Sequence, residues 1–463
     1  MSKLYLFGIG GTGARVIKSL AMLFAAGCEL KNYSKVIPII IDPDSGNGDL
    51  NRTKEILSLY QKIRAQVSEP DDFFKQEITT INNLTTGKPR YNDADFCFEL
   101  ENVDQEKFKQ YIHYSSLPDG DRAIVDLLYS KENLEADLNV GFKGHPNMGS
   151  IVLNQFTQSE AFRSFGNSFS QGDSIFIINS IFGGTGAAGY PLLLKHLRSG
   201  ADINHSEAIK NCAIGAITYL PYFKLKEGEI KSGTFIGKSK AALDYYNRTI
   251  IDKEIDCQYF LGDLHNNSTY DNHVGQKDQM NDGHFLELAG ALSIFDFDQN
   301  TPSNRLGKTI VKEFGVEDFD SMLDFNHLHD TDRSIINLPI HKYSLFANYL
   351  KEGLDKALGV SRWTVKKTEL NKTYFESPEY QNEIAKFNGR YLEWLTEISR
   401  NKPEFLPKLL RQLTDKSLFK KLDILNCKEI DNVEATKDYH TQLVKLFATT
   451  TAHQLEKERN KNL

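Results

Sequence analysis

The chain has 463 residues, of which 40% are hydrophobic and 25% are charged. This composition is that of a folded globular protein, long enough for two or three domains, and it excludes a disordered or fibrous chain. The formal net charge of -7 argues against a protein that wraps nucleic acid, which would carry a basic surface, so no nucleic-acid partner is expected.

The cysteine pattern and the short apolar runs favour a cytoplasmic protein. No Cys-x-x-Cys pair occurs, so we expect free thiols in a reducing compartment rather than disulfides or a zinc site. Apolar runs such as "VIPIII" fall far short of the roughly 20 residues that a membrane span requires. The first residues lead directly into a strand and show no signal-peptide pattern.

The first forty residues predict a β-strand, a helix and a second strand. The strand "KLYLFGI" is followed by a glycine turn, by the apolar-periodic helix "ARVIKSLAMLFAAG" and by the strand "VIPIIID". Strands that are apolar along their whole length are typical of parallel sheets covered by helices on both faces. The sequence therefore begins with a βαβ unit.

The remaining elements predict one α/β domain with helical additions. Residues 47–140 are charged and helix-like and are interpreted as an insertion. Apolar strands then return in "DSIFIIN", "CAIGAITYLP" and "CQYFLGD", with helices between them. We expect an α/β fold with a doubly wound, mostly parallel sheet in residues 1–300 and a mainly helical C-terminal domain in residues 301–463.

Two glycine-rich turns, "GIGGTGARV" and "FGGTGAAG", each follow a predicted strand and precede a predicted helix. Glycine leaves room for a phosphate beside the backbone, and the free N–H groups of a helix start attract an anion. In a parallel sheet both turns lie at the carboxyl edge, where ligands bind. The candidate phosphate-binding residues are Gly8, Gly10, Gly11, Thr12, Gly13, Gly183, Gly184, Thr185 and Gly186.

Other nucleotide-binding motifs fit the two turns less well. Neither turn is followed by the lysine of a P-loop. A dinucleotide-binding fold predicts one glycine turn and an acid at the end of the second strand, where Asp42 stands. An NAD-dependent oxidoreductase is therefore an alternative, but it leaves the second glycine turn unexplained.

The order of these motifs resembles that of the tubulin/FtsZ superfamily of GTPases. The segments "GIGGTGARV", "IDPDSGN", "GHPNMG" and "GGTGA" are similar to four successive loops of that family. The resemblance implies that Asp42 and Asp44 lie near the nucleotide and its Mg²⁺, and that Gly144 and Pro146 contact the γ-phosphate. The bound cofactor would be GTP or GDP.

The resemblance extends to the ribose and the base. It implies that Thr218, Pro221 and Glu227 lie beside the ribose and that Asn281, or its neighbour Asp282, reads guanine. A buried acceptor there would pair with the guanine N–H donors and would be left unmatched by adenine. The chain departs from the family at three positions, because Phe182 and Ala188 replace smaller residues and Arg15 replaces an asparagine.

Hydrolysis in this family is completed in trans by acidic residues of the next subunit. The loop "VEDFDSM" offers Asp318 and Asp320 as the catalytic residues, and "FDFDQN" at residues 295–300 is the alternative. A solvated acidic loop is the other reading of either segment. The resemblance implies a GTPase whose partner is another copy of itself, in head-to-tail filaments.

The helical additions leave a second function open. The C-terminal region lacks the strand patterns of the small sheet found in polymerising members, so a slow or inactive GTP-dependent scaffold that binds other proteins is the alternative. The histidines of "NHLHDTD", His327 and His329, lack the spacing of a strong metal motif, and no metal site is predicted from side chains alone.

Overall fold

The structure is a computed structural model, and it describes residues 2–68, 70, 72–98, 100–101, 103, 107–142, 144–200, 204–227, 234–263, 268–271, 276–301, 304–313, 322–365, 370–405 and 438–461.

The described strands are, in chain order, β1 (Lys3–Ile9), β2 (Lys35–Ile41), β3 (Glu77–Ile78), β4 (Ser174–Ser180), β5 (Ile214–Tyr219), β6 (Phe223–Leu225), β7 (Cys257–Leu261), β8 (Ser268–Tyr270), β9 (Ile310–Glu313), β10 (Met322–Leu323) and β11 (Glu404–Phe405). Seven of them form one sheet in the order β3-β2-β1-β4-β5-β7-β9, and every neighbouring pair is parallel. The pairs β6 with β8 and β10 with β11 form two small parallel sheets.

The described α-helices are α1 (Gly10–Ala25), α2 (Gly48–Gln66), α3 (Ile81–Thr86), α4 (Phe108–Tyr111), α5 (Asp119–Leu128), α6 (Lys131–Leu134), α7 (Pro146–Val152), α8 (Glu160–Ser168), α9 (Thr185–Ser199), α10 (Ser206–Asn211), α11 (Phe235–Thr249), α12 (Phe285–Asn300), α13 (Asp330–Glu352), α14 (Leu354–Ala357), α15 (Arg362–Val365), α16 (Lys372–Phe375), α17 (Lys386–Arg400) and α18 (Tyr439–Lys461). A π-helix at Tyr380–Ala385 runs directly into α17.

Helices cover both faces of the central sheet. On one face, the Phe297 ring of α12 lies so close to β5 that a β-carbon on Gly215 would approach it to 2.6 Å. On the other face, the Tyr190 hydroxyl of α9 donates to Gln258 of β7 at 2.7 Å. Because side chains alternate along a strand, the apolar β-strands bury both of their faces. The predicted doubly wound parallel sheet is confirmed.

The order of the strands places a topological switch point between β1 and β4. From β1 the chain moves outward through β2 and β3, whereas from β4 it moves in the opposite direction through β5, β7 and β9. The helices that follow β1 and β4 therefore diverge to opposite sides and leave a crevice at the carboxyl ends of the two strands. Open α/β sheets bind their ligands in such a crevice.

The main body extends beyond the bounds expected from sequence. Helix α2, at the start of the expected insertion, packs against α1, and its Tyr60 is fully buried. The short strand β3 joins the central sheet, as does β9, which lies beyond residue 300. The C-terminal helices share the same core, since Phe346 of α13 stacks on Phe73 with ring centroids 5.4 Å apart.

Candidate functional site

The two predicted glycine turns meet at the switch point. Strands β1 and β4 are direct neighbours, so the turns that follow them lie side by side. A β-carbon built on Gly10 would lie 3.5 Å from the β-carbon of Thr185. Gly10 also has a φ of +73°, a conformation that other residues rarely adopt. The turns therefore form one continuous backbone surface at the mouth of the crevice.

The helices that begin at these turns have no capping side chain. Neither α1 nor α9 has a side-chain hydrogen bond at its N-cap or an acidic residue in its first turn. By contrast, α2, α12 and α13 have both. The first N–H groups of a helix lack partners within the helix and carry partial positive charge, so α1 and α9 present two adjacent anion-binding ends.

The glycines of the two turns do not all have the same role. A β-carbon on Gly13 would lie 2.5 Å from the backbone of Gly8, and one on Gly186 would lie 2.7 Å from the Ser180 carbonyl oxygen. These glycines let α1 and α9 pack closely on their strands. A β-carbon on Gly11, by contrast, would approach only Arg15 Nη1, at 3.5 Å, so Gly11 leaves open space at the crevice.

The threonines of the turns differ in exposure. Thr185 and Gly183 are half-buried at the start of α9. Thr12 is buried, 7% exposed, in the first turn of α1. Thr185 is therefore the more exposed threonine of the pair.

The third predicted loop lies against the second glycine turn. A β-carbon on Gly184 would approach the backbone nitrogens of Gly144 and His145 to 3.1 and 3.3 Å. Pro146 occupies the first turn of α7, where its lack of an N–H costs no hydrogen bond. The loop therefore borders the same crevice as the start of α9.

The acidic pair that follows β2 lies next to the first turn. The Asp42 carboxylate accepts a hydrogen bond from Asp44 N at 3.1 Å, and that of buried Asp44 accepts one from Gly46 N at 3.1 Å. Burial, together with the nearby carboxylates of Asp44 and Asp49, raises the pKa of Asp42 to about 7. Among the residues that the structure describes, no lysine or arginine forms an ion pair with Asp42.

Arg15, which the sequence marks as a departure from the family, is the centre of a buried ionic network. Its guanidinium donates to Glu287 at 2.5 Å, to Asp49 at 2.8 Å and to the Tyr222 hydroxyl at 3.0 Å. Burial opposes its charge, but Glu287, Tyr222 and Asp49 raise the pKa of Arg15 well above its usual value. The network therefore ties the first turns of α2 and α12 to α1.

The network continues to α17, in the C-terminal part of the chain. The Glu397 carboxylate accepts hydrogen bonds from Lys18 at 3.0 Å, from Gly283 N at 2.7 Å and from Arg52. Arg52 in turn donates to the Asn281 carbonyl oxygen at 2.7 Å. A C-terminal residue thus helps to position the loop that precedes α12.

Asn281 reaches this junction with its side chain uncommitted. Both of its backbone polar groups are used, the carbonyl by Arg52 and the N–H by Asp49 at 3.4 Å. Its half-buried side-chain amide makes no hydrogen bond to any residue that the structure describes. The amide therefore has both a donor and an acceptor to offer a ligand.

The three residues predicted to lie beside the ribose differ in their surroundings. The Thr218 hydroxyl is fully buried between Asn179 and Gln258, at 3.1 and 3.0 Å, on the face covered by α9. Pro221 lies in the loop after β5, and Glu227 is exposed beyond β6. A ribose contact by the Thr218 side chain finds no support in this geometry and stays a prediction, as do the other two.

The predicted catalytic acids Asp318 and Asp320 lie outside the described residues. The alternative segment at 295–300 lies within α12, where its acids have other partners. Asp298 accepts hydrogen bonds from the backbone of Lys31 and Asn32, and Asp296 accepts one from the Tyr259 hydroxyl. Both acids therefore have partners within the chain, and a catalytic role for this segment stays a prediction.

Some residues at the site carry no signal in the sequence. Lys238 of α11 donates to the Gly144 carbonyl oxygen at 2.7 Å, which places its ammonium group on the third loop. Asp49, Glu287 and Glu397 complete the network around Arg15. No motif marks these charged residues, because in a sequence they look the same as residues of a solvated helix face.

The described residues offer neither a side-chain metal cluster nor a membrane span. No group of three or more histidine, cysteine, aspartate or glutamate side chains suited to a metal ion occurs among them. None of the helices in the described part of the chain combines the length and the apolarity that a membrane crossing demands.

No protein-family profile matches the sequence, and no curated protein matches it. Among solved structures, the chain is similar to CetZ2 from Haloferax volcanii, solved as a GTPγS-bound protofilament, with 14% identity and a TM-score of 0.28. It is also similar to CetZ from Methanosaeta thermophila, with 14% identity and a TM-score of 0.24. A third similar structure is a GTPγS-form protofilament of TubZ from Bacillus thuringiensis serovar israelensis, with 12% identity and a TM-score of 0.25.

The extent of these matches differs. The match to CetZ2 covers 64% of this chain and 58% of that one, and the match to the Methanosaeta protein covers 65% and 52%. The match to TubZ covers 93% of this chain and 94% of that one. Similarity at such low TM-scores carries no argument about function, so the function is inferred from the site itself.

Proposed function

We propose that this protein binds a guanine nucleotide in the crevice between β1 and β4 and hydrolyses GTP. The observation that carries the proposal is the meeting of two uncapped helix starts at the switch point, with Gly10 and Thr185 in contact distance. A chain of phosphates supplies the negative charge that two such ends attract. The dinucleotide alternative requires only one glycine turn, so it does not explain the second turn.

The neighbouring loops orient the nucleotide. The phosphates lie on Gly11 and Gly183, and the terminal phosphate points to the loop of Gly144. The base points to the junction below α12, where the uncommitted amide of Asn281 supports base recognition. The order of these contacts is the one that the resemblance to the tubulin/FtsZ superfamily implies.

A magnesium ion fits the acidic pair after β2. Mg²⁺ binds through one or two carboxylates together with phosphate oxygens and water. Asp42 follows Ile41, which pairs with Ile9 just before the first glycine turn. Burial and the nearby carboxylates of Asp44 and Asp49 raise its pKa, so a positive charge beside it would be favourable. A bound Mg²⁺ would supply that positive charge and would help to neutralise the phosphates.

Hydrolysis proceeds by in-line attack of water on the γ-phosphate, in which positioning and charge stabilisation do most of the catalytic work. In the proposed assembly, Asp318 and Asp320 of one copy polarise the water at the nucleotide of the next. If the next copy supplies these acids, hydrolysis would depend on head-to-tail contact between copies. Head-to-tail contacts that do not close into a ring generate filaments.

A thermal-shift assay of nucleotide-stripped protein tests the binding proposal. GTP, GDP, ATP and NAD are compared, each with Mg²⁺, and a ligand at 100 times its Kd should stabilise by about 2.7 kcal/mol. We expect stabilisation by GTP and GDP alone. Stabilisation by NAD, or by none of the four, would overturn the proposal.

Matched variants locate the binding site. Gly11→Asp places a carboxylate on the uncapped start of α1, where it favours the helix but repels phosphate. Gly120→Asp adds the same charge at the second residue of α5, where the glycine is exposed and a β-carbon would meet open space. We expect the first variant to lose the nucleotide-dependent shift and the second to keep it.

A GTP-dependent scaffold that does not polymerise is the second candidate. One observation favours it: α5 exposes Ile124, Leu127 and Leu128 by 56%, 84% and 61%, so that helix presents an apolar face to solvent. Light scattering distinguishes the two candidates. Scattering that rises with GTP, and that persists longer in the Asp318→Ala, Asp320→Ala double variant because its assemblies would not hydrolyse the nucleotide, would reject the scaffold.

A further inference from the structure

The start of α11 is held against the second glycine turn by aromatic packing. The ring of Phe182, directly before that turn, lies 4.9 Å from the ring of Phe235 and 5.4 Å from that of Phe223. Phe235 is buried in the first turn of α11. The aromatic residue at position 182, a departure from the family pattern, therefore fixes the position of α11 beside the crevice.

This packing brings Lys238, in the first turn of α11, to the third loop. Its ammonium group donates to the Gly144 carbonyl oxygen at 2.7 Å and lies 3.1 Å from where a β-carbon on Gly144 would be. Gly144 has a φ of +77°, so the absence of a side chain both permits the turn and admits the ammonium. The start of α9 also lies against Gly144, since a β-carbon on Gly184 would lie 3.1 Å from the Gly144 nitrogen.

The charges around Lys238 are unbalanced. No carboxylate lies within ion-pair distance of its ammonium among the residues that the structure describes. Burial lowers the pKa of Lys238, and burial together with Lys238 lowers the pKa of neighbouring His145. A half-buried ammonium near the positive end of α9 is unfavourable unless an anion is also present, because the ammonium and the helix end repel each other.

We propose that Lys238 contacts the terminal phosphate of a bound nucleoside triphosphate and so distinguishes the triphosphate from the diphosphate. This inference rests on the proposed nucleotide site and names the residue that reads its third phosphate. A lysine binds phosphate as a point charge, and two N–H donors of the ammonium remain beyond the bond to Gly144. The diphosphate ends short of the third loop and makes no such contact.

The test compares Kd values for GTPγS and GDP, each with Mg²⁺, in the full-length protein by titration calorimetry. Lys238→Met keeps the length of the side chain and removes its charge, whereas Lys238→Arg keeps the charge. Lys240→Met, on an exposed position of the same helix, is the matched control. The thermal midpoints of the nucleotide-free variants show that each one folds.

A charged hydrogen bond contributes about 1.5 to 3 kcal/mol, so Lys238→Met should weaken GTPγS binding about 10- to 150-fold. GDP binding should change less than about twofold, Lys238→Arg should recover most of the loss, and Lys240→Met should bind as the parent protein does. An equal loss for both nucleotides, or no loss for either, would overturn the role of Lys238. A parent protein that binds neither nucleotide would instead overturn the nucleotide site as a whole.

Discussion

Replacing Arg15 by methionine removes the cation around which two buried carboxylates are arranged. The Arg15 side chain is 2% exposed, and the side chains of Asp49 and Glu287 are fully buried. Removing one partner of a buried ion pair costs about 3 to 5 kcal/mol, because it leaves an uncompensated charge in a poorly polarisable interior. We expect Arg15→Met to lower the free energy of unfolding by an amount in that range.

The balance of charge in the network sharpens the prediction. Three basic residues, Arg15, Lys18 and Arg52, face three acids, Asp49, Glu287 and Glu397. Arg15→Met therefore leaves one excess negative charge, and adding Glu287→Gln restores neutrality while keeping a hydrogen-bond acceptor. The double variant should lose less unfolding free energy than the sum of the losses in the two single variants, by at least about 1 kcal/mol.

Urea unfolding followed by tryptophan fluorescence measures these losses. Buried Trp394 reports on the region, because its indole N–H donates to Ser19 of α1 at 3.2 Å. Arg248→Met is the control, since Arg248 pairs with Asp244 on the surface, and it should cost less than about 1 kcal/mol. A loss in Arg15→Met no larger than in this control, or strictly additive single losses, would refute the reasoning.

Three further predictions concern Asp42, Gly186 and Glu397. The folded protein holds the Asp42 proton up to about pH 7 and the unfolded chain releases it near 3.8, so stability falls as pH rises between these values. Asp42→Asn should remove that loss, up to about 4 kcal/mol, and a pH dependence of the urea midpoint equal to the parent's would contradict it. Gly186→Ala should destabilise the protein by about 1 to 3 kcal/mol, because the added β-carbon would meet Ser180. Gly237→Ala, where the β-carbon meets open space, should stabilise it, and thermal midpoints that shift in the same direction in both variants would be evidence against this. Glu397→Gln should lower the free energy of unfolding by about 1 to 3 kcal/mol and speed amide hydrogen exchange in residues 276–283. Unchanged exchange in these residues would show that α17 does not hold the loop.

Much of the α/β body is readable from the sequence. Strands β1, β2 and β4 are runs of apolar residues that could be buried only between two layers of helices, and glycine turns mark where two of them end. The segments that the sequence does not reveal are β3 and β9, of two and four residues, because they are too short or too polar to show a strand pattern. Helix α2 falls within the expected insertion because its charged residues look like a solvated face.

Local sequence by itself determined that two glycine-rich turns each follow an apolar strand and precede a helix, because apolar runs, glycines and helical periodicity are patterns of neighbouring residues along the chain. Only the tertiary structure decided that β1 and β4 are neighbours, which turns two separate motifs into one crevice. It also decided that Arg15, Asp49 and Glu397 neutralise one another in the interior and that Lys238 lies on the third loop. Charge pairing and proximity are properties of residues far apart in sequence, and a single sequence carries no local signal for them.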